Sequence, residues 1–87
     1  MRLRLGDLTW QELDGDIIVL DLQGSAYYRL NGPGVLLWQR LVEGCHQADL
    51  EAILIERYGI DAEQAAADVD SFVADLHARR LLDADSP

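Results

Sequence analysis

Apolar positions along this chain change their spacing once, near residue 31. Before that point they fall in short runs broken by glycine-containing pairs. Leu8, Trp10 and Leu13 mark a first strand that stops at Asp14-Gly15. Residues 17–22 form an apolar run rich in β-branched side chains, stopped by Gln23-Gly24. A third strand covers residues 25–30, from Ser25 to Leu30. Asp-Gly and Gln-Gly are turn pairs, so the three runs predict a short antiparallel meander in the order one, two, three. The third strand then lies at an edge.

Asn31-Gly32-Pro33-Gly34 is the switch point. Asn31 can cap a helix and Pro33 suits its first turn. Val35, Leu36, Trp38, Leu41 and Val42 then recur at helical spacing, and Gly44 ends that helix. A second helix is expected over residues 47–58, with Leu50, Ile53, Leu54 and Tyr58 as its stripe and Gly59 as its stop. Asp61 and Gln64 match a capping box opening a third helix. Ala62, Ala65, Ala66, Val69, Phe72, Val73 and Leu76 cover one broad face of it, continuing toward Leu81 and Leu82. The tail from Asp83 to Pro87 is expected to fray. The expectation is one α+β domain over residues 1–87, a three-stranded antiparallel sheet packed on three helices. Helices two and three could form a helix-turn-helix.

Period two along the third strand puts Ala26, Tyr28 and Leu30 on one face and Tyr27 and Arg29 on the other. Tyr28 and Leu30 are taken as the inward pair; Tyr27 is ordinary surface or a contact for a partner. An edge strand offers a row of N–H and C=O groups to an added strand. Residues 25–29 contain no Pro or Lys to block such pairing. Val69, Phe72 and Leu76 of the third helix either fill the core or wall a groove beside that edge, or do both.

Charge narrows the partners. Asp and Glu number 16 against 7 Lys plus Arg, a formal net charge of -9, and every basic residue is Arg. Phosphate contact needs positive charge, so nucleic acid and anionic membrane are poor partners. Asp61, Asp68 and Asp75 recur every seven residues on the third helix, with Glu63 and Asp70 around them. They form a solvated face or an acidic rim that attracts a basic peptide. No apolar run is long enough to span a membrane, and the N-terminus lacks a secretory signal pattern. The cytoplasm is the expected location.

Candidate chemistry is sparse. Cys45 is the single cysteine, so an intrachain disulfide and a cysteine metal cluster are excluded. His46 adjoins it and His77 lies far along the chain, so a Cys/His pair would require the fold to bring His77 in. No spacing supports zinc. Gly32-Pro33-Gly34 lacks the phosphate-binding glycine patterns, and the chain has no lysine. No enzyme activity, cofactor or metal is expected.

The ordered features resemble the PqqD-like domains, the recognition elements for precursors of ribosomally synthesised, modified peptides. They are the Asp14-Gly15 turn, the strand over residues 17–22, and Tyr28-Arg29-Leu30-Asn31. Gly34, Trp38, Leu41, Gly44 and the helix end at Tyr58 follow, then Asp68-Val69, Phe72, Leu76 and Leu81-Leu82. The resemblance implies a winged helix-turn-helix-like fold that binds a precursor's leader segment without chemistry of its own. The leader would add as a strand beside the third strand and pack on the third helix. Carried onto this sequence, the site is Ser25, Ala26, Tyr27, Tyr28, Arg29 and Leu30 with Asp68, Val69, Phe72, Asp75 and Leu76.

Within the family, Tyr27-Tyr28-Arg29-Leu30-Asn31 with Gly34 and Trp38 looks most like the standalone B1 proteins of lasso peptide biosynthesis. That implies as partners a B2 leader peptidase of the cysteine-protease type and an ATP-dependent, asparagine-synthetase-like cyclase. Alternatives are a PqqD-type chaperone serving a radical SAM enzyme in pyrroloquinoline quinone synthesis, and a winged-helix DNA-binding protein. The acid residues of the third helix weigh against the last.

Overall fold

A computed structural model describes residues 1–83. Three strands, β1 (Leu8–Leu13), β2 (Asp16–Asp21) and β3 (Ala26–Leu30), precede three helices, α1 (Pro33–Val42), α2 (Gln47–Tyr58) and α3 (Ala62–Ala78). The strands form one antiparallel sheet in the order β1-β2-β3, as the turn pairs predict. The fold is α+β. The register pairs Leu13 with Asp16, leaving Asp14-Gly15 as a two-residue loop. Both take positive φ, 54° and 87°, which matches the twist of a tight hairpin.

The second connection departs from expectation. β2 ends at Asp21, so Leu22 lies outside the strand and is exposed. Asp21 pairs with Ala26, and residues 22–25 form the loop. Its shape comes from Asp21, whose Oδ1 accepts from the backbone N–H groups of Gln23 and Gly24, each at 3.1 Å. An aspartate bonding the backbone two residues on is a turn former in its own right. Ser25 has φ 52° and is a turn residue, not part of the third strand.

Inward positions of the sheet meet the helices. Leu8, Ile17 and Val19 are buried against Leu37, Trp38 and Leu41 of α1, Leu50 and Leu54 of α2, and Ala65, Val69 and Leu76 of α3. Trp38 is at the centre, fully buried, with the Trp10 ring edge-on at 5.6 Å. The α1 stripe includes Leu37, which helical spacing from Val35 and Leu36 passes over; those two are only half-buried. Tyr58 is exposed, because α2 needs only Leu50 and Leu54 to close the core. Ala62 is likewise exposed, one turn before the helix reaches the core at Ala65.

Helix ends also differ in detail. Asn31 does not cap α1. Gly32 takes the cap position with φ 51°, and the Asn31 carbonyl accepts from Gly34 N–H at 3.0 Å. Asp61 does cap α3, accepting from Gln64 N–H at 2.8 Å. The Gln64 side chain turns along the helix to Asp68 Oδ1 at 2.7 Å, so the reciprocal half of the capping box is not formed.

The first four residues have a structural role that their sequence does not announce. Leu3 pairs with Leu82 in an isolated antiparallel bridge, and Leu3 is buried. Arg4 N–H donates to the Leu81 carbonyl at 2.8 Å, and Asp83 N–H donates to the Arg2 carbonyl at 2.9 Å. Asp83 is therefore held, contrary to the expectation of fraying; residues 84–87 lie outside the described residues. The Arg4 guanidinium meets Asp21 and Asp7, tying this segment to the β2–β3 hairpin. No helix of the described residues is long and apolar enough to cross a membrane.

Candidate functional site

β3 is the end strand of the sheet, and no described strand pairs with its outer edge. Backbone N–H and C=O groups of alternate β3 residues thus point away from β2. Tyr28 and Leu30 face inward, opposite Val19 and Ile17, and both are half-buried. Tyr27 faces outward at 73 % exposure. Arg29 shares that outer face and is already paired, with Nε 2.7 Å from Asp16 Oδ2. The inward reading of Tyr28 and Leu30 holds because the pleat delivers them toward Trp38 and the end of α3.

α3 runs beside this edge, and its residues divide by depth. Val69 and Leu76 are buried; Val69 belongs to the core, whereas Leu76 also lines a small cavity. Phe72 is half-buried and stands between two hollows. The first is about 40 Å³, enclosed by Tyr28, Leu30, Trp38, Phe72 and Leu76 with Asp75 and Arg79 at its polar side. The second is an open cleft of about 410 Å³ between the start of α1 and α3, lined by Pro33, Gly34, Asp68, Phe72 and Asp75 among others. They share Phe72 and Asp75, so a groove follows α3 from its contact with β3 to the start of α1, with apolar side chains and the Asp68 and Asp75 carboxylates in its lining.

Gly34 shapes the junction. A Cβ built there would reach Leu30 at 3.7 Å and Phe72 at 3.8 Å, so α1 starts close against both. Of the predicted site residues, the structure gathers Tyr28, Leu30, Phe72, Asp75 and Leu76 around one cavity. Asp68 joins the neighbouring cleft. Ser25 sits in the turn, and Tyr27 and Arg29 lie on the opposite sheet face from the cavity. Ala26 is half-buried opposite Asp21.

The acidic residues of α3 part ways. Asp61 is a cap, and Asp70 accepts from the Gln47 side chain on α2. Glu63 is exposed at the first turn. Only Asp68 and Asp75 flank the groove. Sequence reasoning missed Arg79. Its guanidinium lies 4.5 Å from the centre of the Tyr28 ring, a cation–π contact across the small cavity. The signal was available: 68, 72, 75 and 79 are a single helical stripe, and it does not end at Leu76.

Of the candidate catalytic residues, the fold brings the two histidines to one cleft that Cys45 does not line. His46 and His77 share this cleft of about 340 Å³ with Met1, Gln47, Val73, Leu82 and Asp83. Cys45 is half-buried nearby in sequence, and burial pushes its thiol above the ordinary value of 9.0, keeping it protonated at neutral pH. Among the described residues, no group of three or more His, Cys, Asp or Glu is placed to hold a metal ion.

A structure of TbiB1 in complex with the TbiA(beta) leader peptide matches with a TM-score of 0.89, covering 100 % of both chains at 22 % identity. At that identity the likeness speaks for the fold. A lasso peptide synthetase B1 complexed with the leader peptide matches with a TM-score of 0.80 at 28 % identity, covering 92 % of this chain and 93 % of the other. No curated protein matches the chain. The family model for coenzyme PQQ synthesis protein D matches residues 16–82, which include all three helices and the whole groove, and the chain belongs to the PqqD family.

Proposed function

We propose that this domain binds the leader segment of a ribosomally made precursor peptide and performs no chemistry on it. The leader pairs with the open edge of β3 and seats apolar side chains between Tyr28, Leu30 and Phe72. The observation that carries this reading is the coincidence of an unpaired strand edge with a half-buried apolar groove alongside it. Strand addition recognises a peptide through its backbone and reads alternate side chains in adjacent pockets. Two structures that share the fold are of B1 proteins with leader peptides, which supports the same use here.

A disordered leader loses conformational freedom when it binds, and backbone pairing with a few apolar anchors offsets that loss. Holding the leader raises the local concentration of the attached core peptide at a maturation enzyme. In the lasso system the recipients are a leader peptidase of the cysteine-protease type and then an ATP-dependent cyclase, working in the cytoplasm. A second reading follows from the family model itself, which describes a coenzyme PQQ synthesis protein. In that case the client is a PQQ precursor and the enzyme a radical SAM protein. DNA binding is disfavoured, because Glu63, Asp68, Asp70 and Asp75 are all exposed on α3 and would repel phosphate.

Calorimetric titration with a synthetic peptide of the leader encoded beside this gene tests the proposal. One-to-one binding at micromolar affinity or tighter is expected, with a PQQ precursor peptide inert. Binding of the PQQ precursor alone would select the second reading, and binding of neither would end both.

A further inference from the structure

Arg79 sits at the C-terminal end of α3 with its guanidinium over Tyr28. It is exposed, and neither it nor Asp75, one turn earlier, forms an ion pair among the described residues. By contrast Arg4, Arg29 and Arg40 are each committed to a carboxylate. In a chain of net charge -9, a cation that rests on a ring beside a groove is free to accept an anion. Beneath it lies the small cavity lined by Tyr28, Leu30, Phe72 and Leu76. An arginine side chain can only donate, so what Arg79 lacks is an acceptor.

We infer that Arg79 is a specificity-determining residue that reads an acidic side chain on the bound peptide, exchanging its contact with Tyr28 for a carboxylate. This rests on the peptide-binding reading above. Asp75 lines the same cavity as Arg79, so a carboxylate that leaves the guanidinium meets a like charge there. The other end of the stripe carries Asp68. Eleven residues of helix separate Asp68 from Arg79, about 16 Å at the usual rise. An extended peptide covers that in about five residues. A peptide that follows α3 with an acid at Arg79 would then set the residue about five positions away beside Asp68, where a neutral or basic side chain is favoured.

The test is a coupled titration with the synthetic leader peptide of the neighbouring gene. Each Asp or Glu of the peptide is replaced in turn by its amide. Affinities are measured for wild type, Arg79→Met and Arg79→Lys, with circular dichroism confirming that the variants are folded. The expected result is one acidic position whose amide form weakens wild-type binding by about tenfold. That same change should leave Arg79→Met unaffected, with Arg79→Lys falling between. Arg79→Met binding the unmodified peptide as well as wild type would overturn the assignment, as would an amide scan with no position coupled to Arg79. In both of those results the leader still binds, and only the role of Arg79 falls. Failure of wild type to bind the leader would remove the peptide-binding reading and this inference with it.

Discussion

Arg4 and Asp21, 17 residues apart in the chain, meet with Nη2 3.2 Å from Oδ1. Asp21 is the buried charged residue of the described chain, and its carboxylate also receives the backbone N–H groups of Gly24 and Gln23. The Gly24 hydrogen bond, with Arg4 and Gln23 adding to it against the cost of burial, holds the Asp21 carboxyl below its ordinary value of 3.8. A folded-state value below the unfolded one means that the charged form stabilises the fold. That contribution is complete above 3.8 and is lost as pH falls through the depressed folded value. Asp21→Asn should therefore lower the melting temperature at pH 7. The gap to wild type should close as both proteins are taken well below pH 3.8. Thermal melts across a pH series read this directly. A gap of constant size would show that the side chain's shape matters and its charge does not.

Leu3 is predicted to behave as a core residue despite its place near the chain start. It is 4 % exposed and bridges to Leu82. Leu3→Ala should destabilise the domain by about 2–4 kcal/mol, the range for truncating a buried leucine. Urea denaturation measures it. A loss under about 0.5 kcal/mol, the size typical of a surface change, would mean that the terminal bridge opens readily in solution.

Gly34 separates stability from binding. An added methyl group meets Leu30 and Phe72 at ordinary contact distance, and the residue lies in the first turn of α1. Gly34→Ala should raise stability by up to about 1 kcal/mol, from helix propensity and a less flexible unfolded chain. The same methyl narrows the groove where α1 meets Phe72, so leader affinity should fall. Denaturation and titration on the same sample would check both. Lower stability would reveal that the α1 start cannot tolerate the contact.

Phe72 and Asp75 are expected to act through different physics. Phe72→Ala removes a half-buried ring between the two hollows and should weaken leader binding at every salt concentration. Asp75→Asn should weaken binding of a basic leader about two- to fivefold at low salt, as expected for an exposed charge pair. That deficit should fade by about 0.5 M salt, where screening is short-ranged. Binding isotherms at three salt concentrations distinguish them. Identical salt responses for wild type and Asp75→Asn would remove the electrostatic role of that carboxylate.

Local signals carried the sheet and helices. Asp14-Gly15 is a hairpin turn by its backbone preferences alone, and Pro33, Gly59 and Asp61 mark helix ends through groups within a few residues of each other. Period two along β3 separated Tyr28 and Leu30 from Tyr27 and Arg29, and the register against β2 under the helices decided that the first pair turns inward. These features depend on neighbours in sequence, so a sequence determines them. Ser25 was misplaced because its turn is built by Asp21, whose carboxylate is held by Arg4 as well as by Gln23 and Gly24.

Depth and long-range partnership were decided only by the tertiary structure. Nothing near Leu3 in the chain indicates that Leu82 will cover it. Val69, Phe72 and Leu76 read alike on a helical wheel, yet Val69 and Leu76 are buried and Phe72 is only half-buried between the hollows. Arg79 reads as an ordinary solvent-facing residue until Tyr28 is placed beneath it. The physical reason is common to all three. A side chain's periodicity sets the direction in which it points, but what it meets there depends on the packing of elements distant in sequence.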